Sequence, residues 1–239
     1  MVTPYHNDND KKNEVRAMFN SIARSYDFLN HFLSFGIDIL WRKRVIRELK
    51  KYAPNLVLDV ATGTGDLAIM AAHKMPAKMI GVDLSAEMIA VGNQKIRNKL
   101  LTEVITLEVG DAEKINYTDQ TFDAAMVAFG VRNFENLEKG LLEINRVLKQ
   151  DQPLLVLEFS KPRHFPIKEL YHFYSFHLLP VIGRMVSKDA RAYTYLPESI
   201  KAFPSGDAFI QVMENCNFTN CRQIALSTRI ATIYIGHKK

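Results

Sequence analysis

The stretch DVATGTGDL, Asp59 to Leu67, decides the fold. It follows an apolar run, Leu56, Val57 and Leu58, that reads as a buried strand. It leads into Leu67 to Ala72, apolar and alanine-rich like the start of a helix. The order is strand, glycine turn, helix. Gly63 and Gly65 let the backbone turn sharply and let a ligand come closer than a Cβ would allow. In that arrangement the first free amides of the helix face the ligand, and the carboxyl end of the strand opens onto a crevice suited to a nucleoside.

Working outward, Asp83 closes a second apolar run, Met79 to Val82, and lies 24 positions after Asp59. A carboxylate at the end of the second strand accepts both hydroxyls of a ribose and opposes the 2′-phosphate of NADP. Gly110, Asp111 and Ala112 follow the run Val104 to Val109 and can frame an adenine. FDAAMVAFG, Phe122 to Gly130, reads as a strand ending beside the same crevice. Four strand ends converge on one ligand. The turn runs Ala61, Thr62, Gly63, Thr64, Gly65 and lacks the third glycine of GxGxxG, which counts against a NAD-linked oxidoreductase. It resembles the S-adenosylmethionine loop of the class I methyltransferases. That resemblance implies an α/β fold with a Rossmann-like, mostly parallel, seven-stranded sheet.

The composition fits a single domain of this kind: 239 residues, 47% hydrophobic. The net charge of +5 reads first as a mildly basic soluble surface, with attraction to anionic membranes or nucleic acid as the alternative. Cys216 and Cys221 read as reduced thiols, and no histidine cluster stands near them at zinc spacing, so no metal is expected. The N-terminal MVTPYHNDNDKKNE lacks the apolar core of a signal segment, pointing to a cytoplasmic protein. The longest uncharged run, Leu170 to Gly183, reaches about 21 Å as a helix, short of a hydrocarbon core of about 30 Å. After the fourth strand stands AFGVRN rather than the proline-flanked tetrad of amino-methylating enzymes, and no cysteine nucleophile is near it. No nucleic-acid partner is expected.

Along the chain we expect a disordered lead-in over 1–13, an N-terminal helical lid over 14–52, a cofactor-binding core over 53–160, an aromatic helical insertion over 163–204 after the fifth strand, and the end of the sheet over 205–239. Tyr26, Asp27 and Asn30 are polar groups inside an apolar segment; helix capping is their structural use, and substrate contact the functional one. Trp41, Val45, Ile46 and Leu49 mark an amphipathic helix whose other face carries Arg42, Lys43, Arg44 and Arg47. Ser85 is placed to cap the helix after Asp83.

Beyond the glycine loop, MFNSIARSYDFLN (18 to 30), LSFGIDILWRK (33 to 43), AFGVRN (128 to 133), VLEFSKP (156 to 162), YSFHLLPVIG (174 to 183) and YLPESIKAFP (195 to 204) resemble the ubiquinone/menaquinone biosynthesis C-methyltransferase family. The last two of the longer stretches are not general to methyltransferases and carry the assignment. The resemblance implies methyl transfer from S-adenosyl-L-methionine to a ring carbon of a polyprenylated quinol. Demethylmenaquinol, giving menaquinol, is favoured over the ubiquinone-pathway benzoquinol; a non-catalytic cofactor-binding scaffold of quinone biosynthesis is the rival of another class. Homodimerisation and peripheral contact with the inner face of the membrane are further expectations.

The implied cofactor positions are Thr64, Asp83, Asp111 with Ala112, and Ala128, beside Asp59, Gly63 and Gly65 of the loop. Ala128 replaces a serine common in relatives, and Gln150 to Pro153 replaces a Pro-Gly-Gly turn. For the chemistry, Arg132 is expected to supply positive charge to a ring oxyanion and Asn133 to orient the ring. Tyr26 and Asp27 are the first candidates for accepting a proton, with His177 behind them. Arg132 has an alternative use as a structural ion-pair partner, and His177 one as a core histidine.

Overall fold

The computed structural model describes residues 2–5, 10–162, 165–174 and 191–239. Three helices come first: α1 (Lys11–Ile22), α2 (Tyr26–Leu33) and α3 (Ile37–Leu49). The lead-in expected through residue 13 is shorter, because the Asp10 side chain accepts from the Asn13 amide and caps α1 three residues earlier. Strand and helix then alternate through β1 (Leu56–Val60), α4 (Asp66–Ala72), β2 (Lys78–Asp83), α5 (Ala86–Asn98), β3 (Ile105–Val109), β4 (Ala124–Ala128), α6 (Leu137–Val147) and β5 (Pro153–Phe159). Where the alternation lapses lie α7 (Ile167–Phe173) and α8 (Arg191–Ala202). The chain finishes with α9 (Asp207–Asn215), β6 (Phe218–Leu226) and β7 (Ala231–Lys238).

The seven strands form one sheet in the order β3-β2-β1-β4-β5-β7-β6. β1 to β5 pair in parallel, and β7 runs antiparallel between β5 and β6. This is the class I methyltransferase fold. The order reverses between β1 and β4, so their carboxyl ends part there and leave a crevice. The central strands are buried on both faces, which is why they read as unbroken apolar runs such as Ala124 to Val127.

Two cores flank the sheet. On one face Trp41, Val45 and Leu49 of α3 pack with Leu67 and Ala68 of α4 and Ile89 and Ile96 of α5. On the other, Leu141 and Ile144 of α6 meet Phe209 and Met213 of α9. Each fully buried aliphatic side chain contributes about 1.5–3 kcal/mol. A third cluster binds the N-terminal helices to the insertion: Val15, Met18 and Ile22 of α1 and Leu29 and Leu33 of α2 surround Met88 and Tyr195.

Ser85 caps α5 as expected, accepting from the Met88 amide at 3.2 Å. At the departure before β5, Asp151 takes the left-handed conformation, φ 60°, that a glycine would otherwise fill. The turn therefore survives without Pro-Gly-Gly. Both cysteines are free. No helix among the described residues is long and apolar enough to cross a membrane.

Candidate active site

The crevice is built by the loops after β1, β2, β3 and β4 and roofed by α1. Gly63 and Gly65 adopt φ of 58° and 79°, turning the chain from β1 into α4. The bend is fixed by Asp83, whose Oδ2 accepts from the Gly63 amide at 2.8 Å while Oδ1 accepts from Ser85 at 2.9 Å. Each carboxylate oxygen keeps a lone pair for a ligand hydroxyl. Asp111 Oδ1 accepts from the Glu113 amide, and its Oδ2 from Lys12 Nζ of α1, 2.9 Å away. Lys11 of the same helix donates to the carbonyls of Arg132 and Phe134. These contacts hold α1 over the crevice, where Val15, Arg16 and Phe19 join its lining.

Of the sequence-expected cofactor positions, Gly63, Asp83, Asp111, Ala112 and Ala128 line this crevice. Asp59, Thr64 and Gly65 lie behind it. Asp59 is buried, accepts from the Thr62 hydroxyl at 2.7 Å, and is pushed by burial up to about 7. The Thr64 hydroxyl points away, donating to Asp27 Oδ1 and accepting from Lys95 Nζ at 3.0 Å. Lys95 also pairs with Asp27 at 2.7 Å and with Asp66. Asp27 thus joins α2 to the glycine loop and α5, and lines neither the crevice nor the cavities beside it.

A second chamber opens next to the crevice and shares Phe19, Tyr26, Phe129 and Asn133 with it. Its polar walls are Asn30, Ser34, Asp38, Arg42 and Arg132. The structure therefore brings Tyr26, Arg132 and Asn133 together. Asn133 is oriented by Tyr195, whose hydroxyl donates to its Oδ1 at 3.2 Å. The Arg132 side chain is largely shielded from solvent and pairs through one terminal nitrogen with Glu158 at 2.8 Å and with the Phe129 carbonyl. Its Nε has no partner among the described residues. Burial raises the Glu158 carboxyl in spite of the Arg132 charge, and raises the Tyr26 phenol against the pull of Arg132 and Arg42. His177 lies outside the described residues.

Two chamber groups went unnoticed in the sequence. Arg42, read as part of a solvated basic face, is only 6% exposed, pairs with Asp38, and stands 5.6 Å over the Phe129 ring. Asp38 accepts from Ser34 Oγ at 2.6 Å and faces His31 Nδ1 at 2.8 Å. The available signal was an Asp and an Arg four apart on a helix that also carries Trp41, a spacing that puts them side by side.

The chamber continues through Asn30, Ser34, Phe159 and Leu196 into a groove of about 330 Å³, within the range of ligand pockets, about 300–1,000 Å³. The groove is apolar: Leu33, Phe35, Ile37, Trp41, Leu170 and Ile200 are among its walls. The Tyr174 hydroxyl donates to the Leu33 carbonyl at 2.5 Å and ties α7 to the turn after α2. Chemically, the site offers a nucleoside crevice, a small polar chamber and a long greasy slot in sequence.

Comparison with known proteins agrees with this geometry. Residues 6–238 match the family described as the ubiE/COQ5 methyltransferase family. The chain is 47% identical over 239 residues to a demethylmenaquinone methyltransferase of Porphyromonas gingivalis, covering 99% of this chain and 98% of that one. It is 42% identical to a ubiquinone/menaquinone biosynthesis C-methyltransferase UbiE of Geotalea uraniireducens, over 96% of this chain and 98% of the relative. Among solved structures, a Thermotoga maritima SAM-dependent methyltransferase, a possible histamine N-methyltransferase, superposes with a TM-score of 0.66 at 18% identity, covering 94% of this chain and all, 100%, of that one.

Proposed function

Since the chain belongs to the ubiE/COQ5 methyltransferase family, we propose that it transfers a methyl group from S-adenosyl-L-methionine to the ring carbon of demethylmenaquinol, giving menaquinol. The observation that carries this reading is the junction of three compartments: crevice, polar chamber and apolar groove share walls in that order. A nucleoside cofactor, a quinol ring and a prenyl tail need such an order.

The residues of the crevice fit the cofactor. Asp83 is held by two amides and offers lone pairs to the ribose hydroxyls, and Asp111 with Ala112 borders the adenine end. When bound, S-adenosylmethionine supplies an electrophilic methyl group on a neutral leaving group, so no acid is needed to expel it. The protein's work is alignment and activation of the ring carbon. Phe19, Tyr26, Phe129 and Asn133, shared by crevice and chamber, hold the ring against the methyl; orientation of this kind is worth about 7–11 kcal/mol.

Loss of the ring hydroxyl proton makes the neighbouring carbon nucleophilic, and the unpartnered Nε of Arg132 is a donor left for that oxygen. Asn133, fixed by Tyr195, positions the ring. The Tyr26 phenol, raised above its ordinary value of 10, stays protonated at neutral pH and donates rather than accepts. Asp27 serves by clamping α2 to the glycine loop.

Exposed Phe28, Phe32, Phe35, Leu40, Leu170 and Phe173 lie on the helices that form the groove or beside it, which supports peripheral contact with a membrane holding the quinol. Co-sedimentation with anionic liposomes tests that contact; absence of binding at low salt would exclude it. The function itself is tested by mass spectrometry of a reduced demethylmenaquinone analogue incubated with methyl-labelled S-adenosylmethionine. One labelled methyl on the ring is the expected result. Label on the ubiquinone-pathway benzoquinol alone would move the protein to that pathway, and cofactor binding without transfer to either quinol would leave only a scaffold.

A further inference from the structure

Methylation of a ring carbon replaces a C–H bond by a C–C bond, so one proton must leave the chamber in each turnover. Asp38 is the one carboxylate among the described residues that line it. Its oxygens accept from the Ser34 hydroxyl and from Arg42, and Oδ2 faces Nδ1 of His31, which leaves at least one of about four lone pairs for a ligand. His31 sits between two carboxylates: Nδ1 is 2.8 Å from Asp38, and Nε2 is 3.5 Å from Asp66 of α4. Its side chain is 36% exposed, so this imidazole joins a buried acid to solvent. Asp66 is in turn neutralised by Lys95 of α5, and Arg42, Tyr26, Arg132 and Tyr195 are the other charged or titratable groups lining the chamber among the described residues.

We infer that Asp38 takes the proton of the ring hydroxyl and that His31 conducts it to solvent. This inference rests on the methyl-transfer reading above. The hydroxyl O–H bond breaks, its electron pair stays on the ring oxygen, and a carboxyl O–H forms on Asp38. The carboxyl group passes a proton to Nδ1 of His31 in the tautomer that carries its other proton on Nε2, the imidazolium releases the Nε2 proton to water, and proton exchange of the partly exposed ring with water returns its remaining proton from Nδ1 to Nε2 before the next turnover. The ring carbon then bonds to the methyl group. Transfer of the ring C–H proton back to the oxygen restores the aromatic quinol, so one proton has left and no oxidant or reductant is needed. Arg42 holds the carboxylate in place throughout. The two chamber tyrosines are poor substitutes, since burial raises Tyr26 and pushes Tyr195 up to about 12, which keeps both protonated, whereas against the raising effect of burial Ser34 and Arg42 hold the Asp38 carboxyl below its ordinary value and keep it ionised to accept.

The test compares wild type with Asp38→Asn and His31→Ala. Wild type is assayed first with a short-tailed reduced demethylmenaquinone, and cofactor affinity is measured by calorimetry for all three proteins. Asp38→Asn should lower kcat about 100-fold or more while cofactor affinity stays within about twofold, the scale of a lost proton acceptor. His31→Ala should also lower kcat, and added imidazoles should restore it in the order of their basicity, a response that mere cavity filling does not give. If Asp38→Asn fails to fold, the half-exposed His31→Ala variant carries the decision. A kcat within about threefold of wild type in His31→Ala, or rescue independent of basicity, would overturn the relay while leaving the methyltransferase reading intact. A wild type that binds cofactor but methylates no quinol would overturn both.

Discussion

Arg132 and Glu158 are 2.8 Å apart with side-chain exposures of 8% and 0%, so neither charge is appreciably screened by water. Arg132→Met leaves Glu158 as an uncompensated buried carboxylate. Breaking a buried pair from one side costs about 3–5 kcal/mol. For a chain of this size that is a fall in Tm of roughly 6–20 °C, at about 2–4 °C per kcal/mol.

The sign of the pH dependence follows from Glu158. Burial already raises its carboxyl above the ordinary value with Arg132 present, and removing that guanidinium raises it further. A raised acid stabilises the folded state while protonated and loses that contribution as pH climbs through its folded value. The deficit of Arg132→Met should therefore grow as pH rises above the ordinary carboxylate range and shrink on acidification. The double variant Arg132→Met/Glu158→Leu, which removes both charges, should recover most of the loss, since apolar pairs of similar volume replace buried ion pairs at little cost. Equilibrium urea unfolding at several pH values measures all of this. A single-variant deficit under about 1 kcal/mol, or one that does not shrink on acidification, would refute the reasoning.

Asp83→Ala removes the proposed ribose acceptor and strips the Gly63 and Ser85 amides of their partner; we expect cofactor affinity by calorimetry to fall by about 1.5–3 kcal/mol, roughly 10- to 150-fold, and an undiminished affinity would contradict the ribose assignment. Asp59, at about 7 against an unfolded value of 3.8, loses stability as pH rises between those values, whereas Asn stays neutral. Asp59→Asn should thus gain on wild type by up to about 4 kcal/mol across that window in urea melts, and parallel stability curves would count against an ionising Asp59. Leu170→Glu places a charge on an exposed wall of the groove; KM should rise for a long-tailed quinol and stay near wild type for a tailless one, and equal effects on both would remove the groove from tail binding.

Much of the crevice was legible in the sequence because its parts are local. A strand buried on both faces must be an apolar run, and a chain leaving it for a helix must turn, so Asp59 to Leu67 declared both. Asp83 and Asp111 stand where strands end, and strand ends are visible from where hydrophobicity stops. The chamber is different, because α1, α2, α3 and α8 meet there from distant parts of the chain. Arg42 looked like its neighbours Lys43 and Arg44, and only the packing of α3 under the turn after α2 puts it inside. Thr64 sits between two glycines and Asp27 beside Tyr26, yet side chains of adjacent residues diverge. The side chains of Thr64 and Asp27 bond to each other, away from the crevice lining.

The clamp of Asp27, Thr64, Lys95 and Asp66 has a thermodynamic consequence. Helix α2 gives Tyr26 to the crevice, Asn30 to the chamber and Leu33 to the groove, while Asp27 fastens it to the glycine loop beside the crevice. On the proposed reading two ligands touch this one helix, so each is expected to change the other's affinity. Linkage makes any such change equal in both directions: on the proposed reading a prenylated quinol should shift cofactor affinity by the same factor as the cofactor shifts affinity for the quinol.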